Sequence, residues 1–381
     1  MNQPDLGALP GTPAGDGWWM PGEFEAHEGC WMLWPERPDN WRERARPAQA
    51  AFAAVAAAIS RFEPVRIGVS PAHAAAARAQ LPSSVAVVPL AHDDCWMRDV
   101  GPTYLVAERP QLRGVHWRFN AWGGLEGGLY HPWDQDERVA AEVLSLEARG
   151  RYRAPIVIEG GAIHVDGQGT ALLAEECVLN PNRNPGMTRE RMEAVLRDYL
   201  GVTHFIWLGL GVYNDETDGH IDNLACFVAP GKVCLTWTDD RADPQYERSR
   251  EAWERLNEAR DARGRRIEVA RLPMPGPLYM TEQEARGLAP SEACKPRSAG
   301  ERLAASYVNF YFANGGVVMP LFDAPTDAQA AEMLRGLCPE REVIGVPARE
   351  ILLGGGGIHC ITQQVPDPRA PRVRPTARGA A

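Results

Sequence analysis

Tyr104-Leu105-Val106-Ala107, then Val115-His116-Trp117-Arg118-Phe119, then residues 137–148, then Ile156-Val157-Ile158-Glu159: this stretch decides the fold. Its first two runs are short, apolar and rich in β-branched and aromatic residues, and they read as paired strands. The loop Asn120-Ala121-Trp122-Gly123-Gly124 leads into a segment whose apolar residues have helical spacing. A third β-branched run then closes a strand–strand–helix–strand unit.

The same order recurs outward in both directions. Upstream, residues 30–35 read as a buried strand stopped by Pro35, 47–62 as an alanine-rich helix, 65–70 as a strand, 72–81 as a helix and 85–90 as a strand. Downstream come strands at 162–165, 171–173 and 177–180, a helix opened by Thr188 as its cap, and a strand at 205–208. Next are a hairpin turning at Pro230-Gly231, a charged helix over 244–260 and a strand at 267–272. A last hairpin, 306–312 with 317–320, turns at Asn314-Gly315 and precedes a helix at 327–337 and a strand at 343–346. The fold class is α/β. No composition break marks a linker, so residues 18–366 are expected to form one catalytic domain. Residues 1–17 are expected to be a flexible segment, and 367–381 a disordered Pro/Arg-rich tail.

With 381 residues, 45% of them hydrophobic and 24% charged, the chain has an ordinary globular composition. Its net charge of −10 argues against non-specific binding to nucleic acid or to an anionic membrane. The eight cysteines are scattered without a CxxC pair, which reads as reduced thiols in a cytoplasmic protein. The first 20 residues contain no Lys or Arg, so a signal-peptide n-region is not expected.

Four polar clusters carry the chemistry. Asp93-Asp94-Cys95-Trp96-Met97-Arg98-Asp99 sets three carboxylates beside a tryptophan, either a cation site or an acidic surface turn. Glu159-Gly160-Gly161 places a carboxylate at the end of an apolar strand, or at the rim of a glycine turn. In Asn214-Asp215-Glu216-Thr217-Asp218-Gly219-His220-Ile221-Asp222-Asn223, an extended backbone would point His220 and Asp222 to the same side. Metal readings compete there. A calcium loop lacks the EF-hand spacing. A zinc site using His220, Asp222, His359 or Cys360 lacks closely spaced thiolates and HExxH.

The fourth cluster is Leu353-Gly354-Gly355-Gly356-Gly357-Ile358-His359-Cys360-Ile361-Thr362-Gln363-Gln364. Four glycines let the backbone approach a ligand closely. The cysteine that follows is a strong nucleophile once ionised. The competing reading is a tight turn followed by a small buried thiol. A cysteine, a histidine and several carboxylates together point to cysteine-dependent chemistry on a cationic centre. Phosphate chemistry would need a Walker loop or basic clusters, and none is present.

The chain resembles the agmatine deiminases, in the peptidylarginine-deiminase-like branch of the guanidino-group-modifying superfamily. The resemblance covers residues 18–366. It rests on Glu23-Phe24-Glu25, His27-Glu28-Gly29-Cys30-Trp31, Trp96-Met97-Arg98-Asp99, Gly101-Pro102-Thr103 and Phe119-Asn120-Ala121-Trp122-Gly123-Gly124. It continues through Glu159-Gly160-Gly161, Asn182-Arg183-Asn184-Pro185, Gly219-His220-Ile221-Asp222-Asn223, Ser306-Tyr307-Val308-Asn309-Phe310 and Ile358-His359-Cys360-Ile361-Thr362-Gln363-Gln364. One departure is Gly357, where the family usually has Asn.

The resemblance implies a five-bladed α/β propeller of ββαβ units with the site at its axis. It implies hydrolysis of agmatine to N-carbamoylputrescine and ammonia, in putrescine and polyamine biosynthesis. Cys360 would be the nucleophile, His220 the general acid and base, and Glu159 the residue polarising His220. Asp99 and Asp222 would hold the guanidinium, Trp96 would wall the substrate stem, and the backbone at Gly357 would approach the reacting carbon. The expected partner is the small molecule agmatine, with no cofactor, metal, nucleic acid or membrane, and by analogy a homodimer. An arginine or peptidylarginine deiminase would use the same core residues, and a non-catalytic polyamine binder is the reading from another class. For the substrate's ammonium end, an acidic or aromatic lining is expected, from Trp18, Trp122 or Asp218.

Overall fold

The protein is described here by a computed structural model over residues 7–375. The first strand, β1 (His27–Leu33), is followed by the helix Arg46–Ile59 and the parallel strand β2 (Val65–Val69). In that helix Pro47 sits in the first turn, where its missing N–H is not needed. Phe52, Val55, Ala56 and Ile59 make the face that is buried. The helix Ala74–Gln80 and a further parallel strand, β3 (Val85–Pro89), complete this side.

Three units then repeat one plan. Strands β4 (Thr103–Val106) and β5 (Leu112–Arg118) are antiparallel, and β6 (Gly150–Val157) returns parallel to β5 after the helix Asp136–Leu146. In the next unit β7 (His164–Val165) pairs antiparallel with β8 (Thr170–Ala174), and β9 (His204–Leu208) runs parallel to β8. Between β8 and β9 lies the helix Arg189–Leu200. Thr188 caps it by accepting the Arg191 amide, and Gly201 ends it at φ 65°. The third unit has β10 (Ala225–Ala229), β11 (Lys232–Trp237), the helix Gln245–Glu258 and β12 (Glu268–Pro273) in the same pattern.

A short two-stranded ribbon, β13 (Leu278–Tyr279) with β14 (Arg302–Leu303), interrupts the series. The fourth unit follows: β15 (Tyr311–Ala313), β16 (Gly316–Leu321), the helix Asp327–Leu337 and β17 (Glu342–Pro347). The last strand, β18 (Thr362–Pro366), closes the chain on its beginning by pairing antiparallel with β1. So β18, β1 and β2 repeat the plan with the chain ends supplying one strand each. Among the described residues there are thus five sheets of this type, and the core between them is apolar and buried. β8, the middle strand of its sheet, is buried along its whole length, while the outer parallel strands β3, β12 and β17 keep exposed residues.

Three expectations are corrected. Residues 177–180 are not a strand: Glu175–Val178 is a helical turn, because the chain must leave the end of β8 and start toward the next helix. The strand expected from residue 306 begins only at Tyr311. Finally, His220 and Asp222 do not alternate along an extended segment. Ile221–Leu224 is a helical turn with His220 just before it. Such turns are too short to show a helical period. At the ends, Ala8 bridges to Arg151, and Arg372 pairs with Glu25. Residues 1–6 and 376–381, parts of the segments expected to be flexible or disordered, lie outside the described residues. No helix among the described residues is long and apolar enough to cross a membrane.

Candidate active site

The leading antiparallel strand of each sheet is preceded by a short turn, and these turns converge. Before β4 the helical turn Met97–Val100 carries Asp99. Before β7 the turn Gly160–Ala162 follows Glu159. Before β10 stand His220 and the turn Ile221–Leu224 with Asp222. Asn309 precedes β15, and Cys360 precedes β18.

The cysteine sulfur lies 3.6 Å from Asp222 Oδ2 and 3.2 Å from Asn309 Nδ2. Asp222 Oδ2 accepts from His359 Nδ1 at 2.8 Å, and Glu23 Oε2 accepts from His359 Nε2 at 2.6 Å. Asp222 Oδ1 is buried and has no hydrogen-bond partner among the described residues. On the other side of the site, His220 Nε2 lies 3.3 Å from Glu159 Oε2 and its Nδ1 lies 3.8 Å from Asp99 Oδ2. Asp99 is anchored by the Gly161 amide at 2.8 Å and the Trp122 indole at 3.0 Å. Glu159 is anchored by Arg183 Nε at 3.0 Å.

Glycine keeps the middle of this group open. A Cβ on Gly161 would stand 2.5 Å from His220 Nδ1, 2.9 Å from Asp99 Oδ1 and 3.0 Å from Asp222 Oδ2. A Cβ on Gly356 would stand 2.5 Å from the Trp96 ring and 3.1 Å from the Cys360 sulfur.

Burial and charge set the protonation states. Burial pushes the Cys360 thiol well up, and the carboxylates of Asp222 and Asp99 push it the same way. Burial would lower the His220 imidazole, but Asp99 and Glu159 outweigh it and hold His220 well above its ordinary value. Burial raises Asp99 to about 6, against the pull of His220. Burial opposes ionisation of Glu159 as well, yet Arg183 and His220 bring it down to about 2. Asp222 stays below its usual range because His359 offsets its burial. The resting site is therefore a protonated imidazole among carboxylates, beside a thiol that has yet to ionise.

The sequence matches the Porphyromonas-type peptidyl-arginine deiminase family over residues 19–366. The chain belongs to this family. It is 55% identical over 360 residues to an agmatine deiminase of Pseudomonas aeruginosa, covering 94% of this chain and 98% of that protein. It is 54% identical to an agmatine deiminase of Pseudomonas fluorescens over 96% of this chain and 100% of that protein. A solved structure of the Enterococcus faecalis agmatine deiminase superposes with a TM-score of 0.92 at 44% identity, covering 95% of this chain and 99% of that one.

For this deiminase-family chain, Cys360, His220, Glu159, Asp99, Asp222, Trp96 and Gly357, picked out from the sequence, lie in one buried cluster. Trp96 borders the glycine run with its indole nitrogen on Asp94. Gly357, expected to approach the reacting carbon with its backbone, packs against Asn309, and a Cβ on it would stand 2.3 Å from Asn309 Oδ1. Of the residues suggested for the ammonium end, Trp18 packs in a separate core cluster, Trp122 holds Asp99, and Asp218 is paired with Arg183.

Sequence reasoning gave no role to Glu23, Cys177 or Asn309, and weighed His359 only as a zinc ligand. Cys177 packs against His220. Among the described residues two triads stand close enough to hold an ion, Glu23 with His164 and His359, and Glu159 with Cys177 and His220. They differ from the zinc set weighed from the sequence. In each, an arginine already faces the carboxylate, Arg98 at 3.6 Å from Glu23 and Arg183 at 3.0 Å from Glu159.

Proposed function

We propose that this chain is an agmatine deiminase, hydrolysing agmatine to N-carbamoylputrescine and ammonia through a covalent intermediate on Cys360. The observation that carries the reading is the glycine-floored gap. A thiol, an imidazolium, and two carboxylates, one with a free buried oxygen, all border it. A planar guanidinium is a cation with N–H groups on several sides, and it matches that set.

Asp99 and Asp222 bind the guanidinium. Its positive charge offsets the carboxylates that hold the Cys360 proton, so binding favours the thiolate. The sulfur adds to the central carbon. His220 then donates a proton to the departing nitrogen, which leaves as ammonia, and a cationic amidino-cysteine remains. The neutral imidazole next takes a proton from water as the oxygen adds to the same carbon. Breaking the C–S bond releases the ureido product and returns the sulfur. Glu159 keeps His220 basic and oriented, and Trp96 walls the substrate stem.

The charge around the site favours agmatine over arginine. An α-carboxylate needs a free cation, but the nearby arginines are engaged. Arg98 donates to Gln364, Arg183 is held by Glu159 and Asp218, and Arg297 by Glu216. Burying an unpaired carboxylate costs several kcal/mol, so arginine should be the poorer substrate by roughly a thousandfold in kcat/KM. Agmatine and arginine competing in one tube test this, with N-carbamoylputrescine weighed against citrulline. Comparable yields would return the chain to the general guanidine hydrolases. We read the five repeated sheets as blades around this site, the enzyme as a cytoplasmic member of putrescine and polyamine synthesis, and its assembly as a homodimer.

A further inference from the structure

The two carboxylates that border the gap are held in different ways. Asp99 is fixed by a main-chain amide and an indole. Among the described residues, the one nitrogen that donates to Asp222 is His359 Nδ1, at 2.8 Å from Oδ2. The same oxygen lies 3.6 Å from the Cys360 sulfur, and Oδ1 is the atom left without a partner. The orientation of Asp222 thus depends on His359.

His359 is braced in turn. Its Nε2 lies 2.6 Å from Glu23 Oε2, and the other Glu23 oxygen accepts the Phe312 amide at 3.3 Å. An ionised carboxylate only accepts, so a ring between two of them carries a hydrogen on both nitrogens. Burial opposes that charge and Arg98 adds to the opposition, but Glu23 and Asp222 outweigh both and hold His359 above its ordinary value. His164, whose ring stands 3.8 Å from Glu23, is the opposite case. Its Nδ1 accepts the Phe227 amide at 3.2 Å, and a main-chain N–H can only donate, so this ring is neutral. Burial lowers it to about 4, although Glu23 pulls the other way. Arg98 completes the surroundings, 3.6 Å from Glu23 and 3.4 Å from the His359 carbonyl. Asp222 itself also faces His220, Asp99 and Cys360. With both nitrogens tied to carboxylates, His359 has no ring position free for the leaving nitrogen or the attacking water. His220, by contrast, keeps its Nδ1 outside hydrogen-bond distance of Asp99, at 3.8 Å.

We propose that His359 is a positioning residue, an imidazolium braced by Glu23 that fixes Asp222 through Oδ2 and leaves Oδ1 for the guanidinium. The proposal rests on the reading that Asp222 binds the substrate. At Oδ2, the oxygen that faces the sulfur, the charge on His359 also offsets the carboxylate that opposes the thiolate.

The test is the pH profile of kcat/KM for agmatine in His359→Gln, which keeps a hydrogen-bonding side chain and removes the charge. Burial raises the Asp222 carboxyl, and His359 outweighs it. Without His359 the carboxyl titrates at higher pH, and a protonated Asp222 loses its hold on a cation. The acid limb should therefore move to higher pH, with partial recovery in alkaline buffer. Near pH 7, kcat/KM should fall by roughly tenfold to a hundredfold, the loss of one charge-assisted hydrogen bond. Glu23→Gln keeps the ring and removes only the charge of the brace. It should move the limb the same way by a smaller step, and it carries the test should His359→Gln fail to fold. A uniform loss with the limb at its wild-type place is what a merely structural role gives, and in either variant it would overturn the proposal. So would nitrogen-15 NMR of wild-type protein in which the His359 ring, assigned by difference from His359→Gln, lacks a hydrogen on one nitrogen at pH 7. An Asp222→Asn enzyme with wild-type kcat/KM would instead overturn the reading beneath it, that Asp222 binds the guanidinium.

Discussion

Cys360 and Asp99 are the residues whose single-atom changes say most. Cys360→Ser replaces sulfur by oxygen in a site where burial and two carboxylates already resist the anion. An alkoxide is far harder to form than a thiolate, so ammonia release should be abolished while the thermal midpoint stays near wild type. Intact-mass spectra of quenched wild-type enzyme should carry an amidino adduct on Cys360 that the serine variant lacks. Asp99 sets the acid limb. It ionises at about 6 in the buried site, coupled to His220. Below that pH it is neutral and loses its hold on a cation. The kcat/KM for agmatine should therefore fall as pH drops through about 6, and Asp99→Asn should show a uniformly low kcat/KM without that limb. A wild-type profile flat to pH 5 would remove Asp99 from substrate binding. Chemically loud residues such as these were legible in the sequence. Asn309 was given no role and His359 only that of a candidate zinc ligand, because an uncharged amide announces nothing and His359 meets Glu23 only across 336 residues of chain. The available signal was the motif Ser306-Tyr307-Val308-Asn309-Phe310, which carries the family resemblance; that Asn309 stands just before its strand shows only in the structure, where β15 begins at Tyr311.

At the scale of elements, the helices and most strands could be read because their periods repeat over enough residues. The turns that carry the site could not. Four residues such as Ile221–Leu224 contain barely one helical turn, and an extended reading fits them equally well. What holds these turns in place is a set of buried ionic links between them. The plainest is Arg183, which ties Glu159, before β7, to Asp218 and the Thr217 carbonyl, before β10. Removing one partner of a buried pair leaves the other uncompensated. Arg183→Gln should destabilise the fold by about 3–5 kcal/mol near neutral pH. The sign of its pH dependence follows from Glu159, whose carboxyl titrates at about 2 in the fold against an ordinary 4.5. A depressed carboxyl contributes stability that is present above 4.5 and lost as pH falls toward 2. The gap between wild type and Arg183→Gln should therefore narrow on acidification. Urea unfolding at pH 7 and at pH 4 measures it, and a gap that widened at pH 4 would place the stabilisation elsewhere.

For the whole molecule, the recurring strand–strand–helix–strand order was visible along the sequence, but its closure was not. The strands near residues 30 and 362 were each readable; that they pair was not, because nothing local links His27 to Pro366. This pairing matters for the site, since Cys360 stands just before β18. Gln364 on β18 accepts from Arg98 at 2.6 Å, next to Asp99, and Gln363 pairs with Trp31 on β1. Ending the chain at Ile361 would keep every proposed catalytic residue. It would strip β1 of its antiparallel partner, although Cys30, Trp31 and Met32 are at most 1% exposed. It would also leave the buried Arg98 guanidinium without Gln364. Exposed apolar surface and an unpaired strand edge are the conditions for aggregation. The chain ending at Ile361 should accumulate as insoluble or unfolded protein with no ammonia release, whereas a chain ending at Pro375 should match the full-length enzyme in thermal midpoint and turnover. Soluble, active protein from the shorter chain would mean that the first four units hold the site without closure, and that β18 serves only to cover the edge of β1.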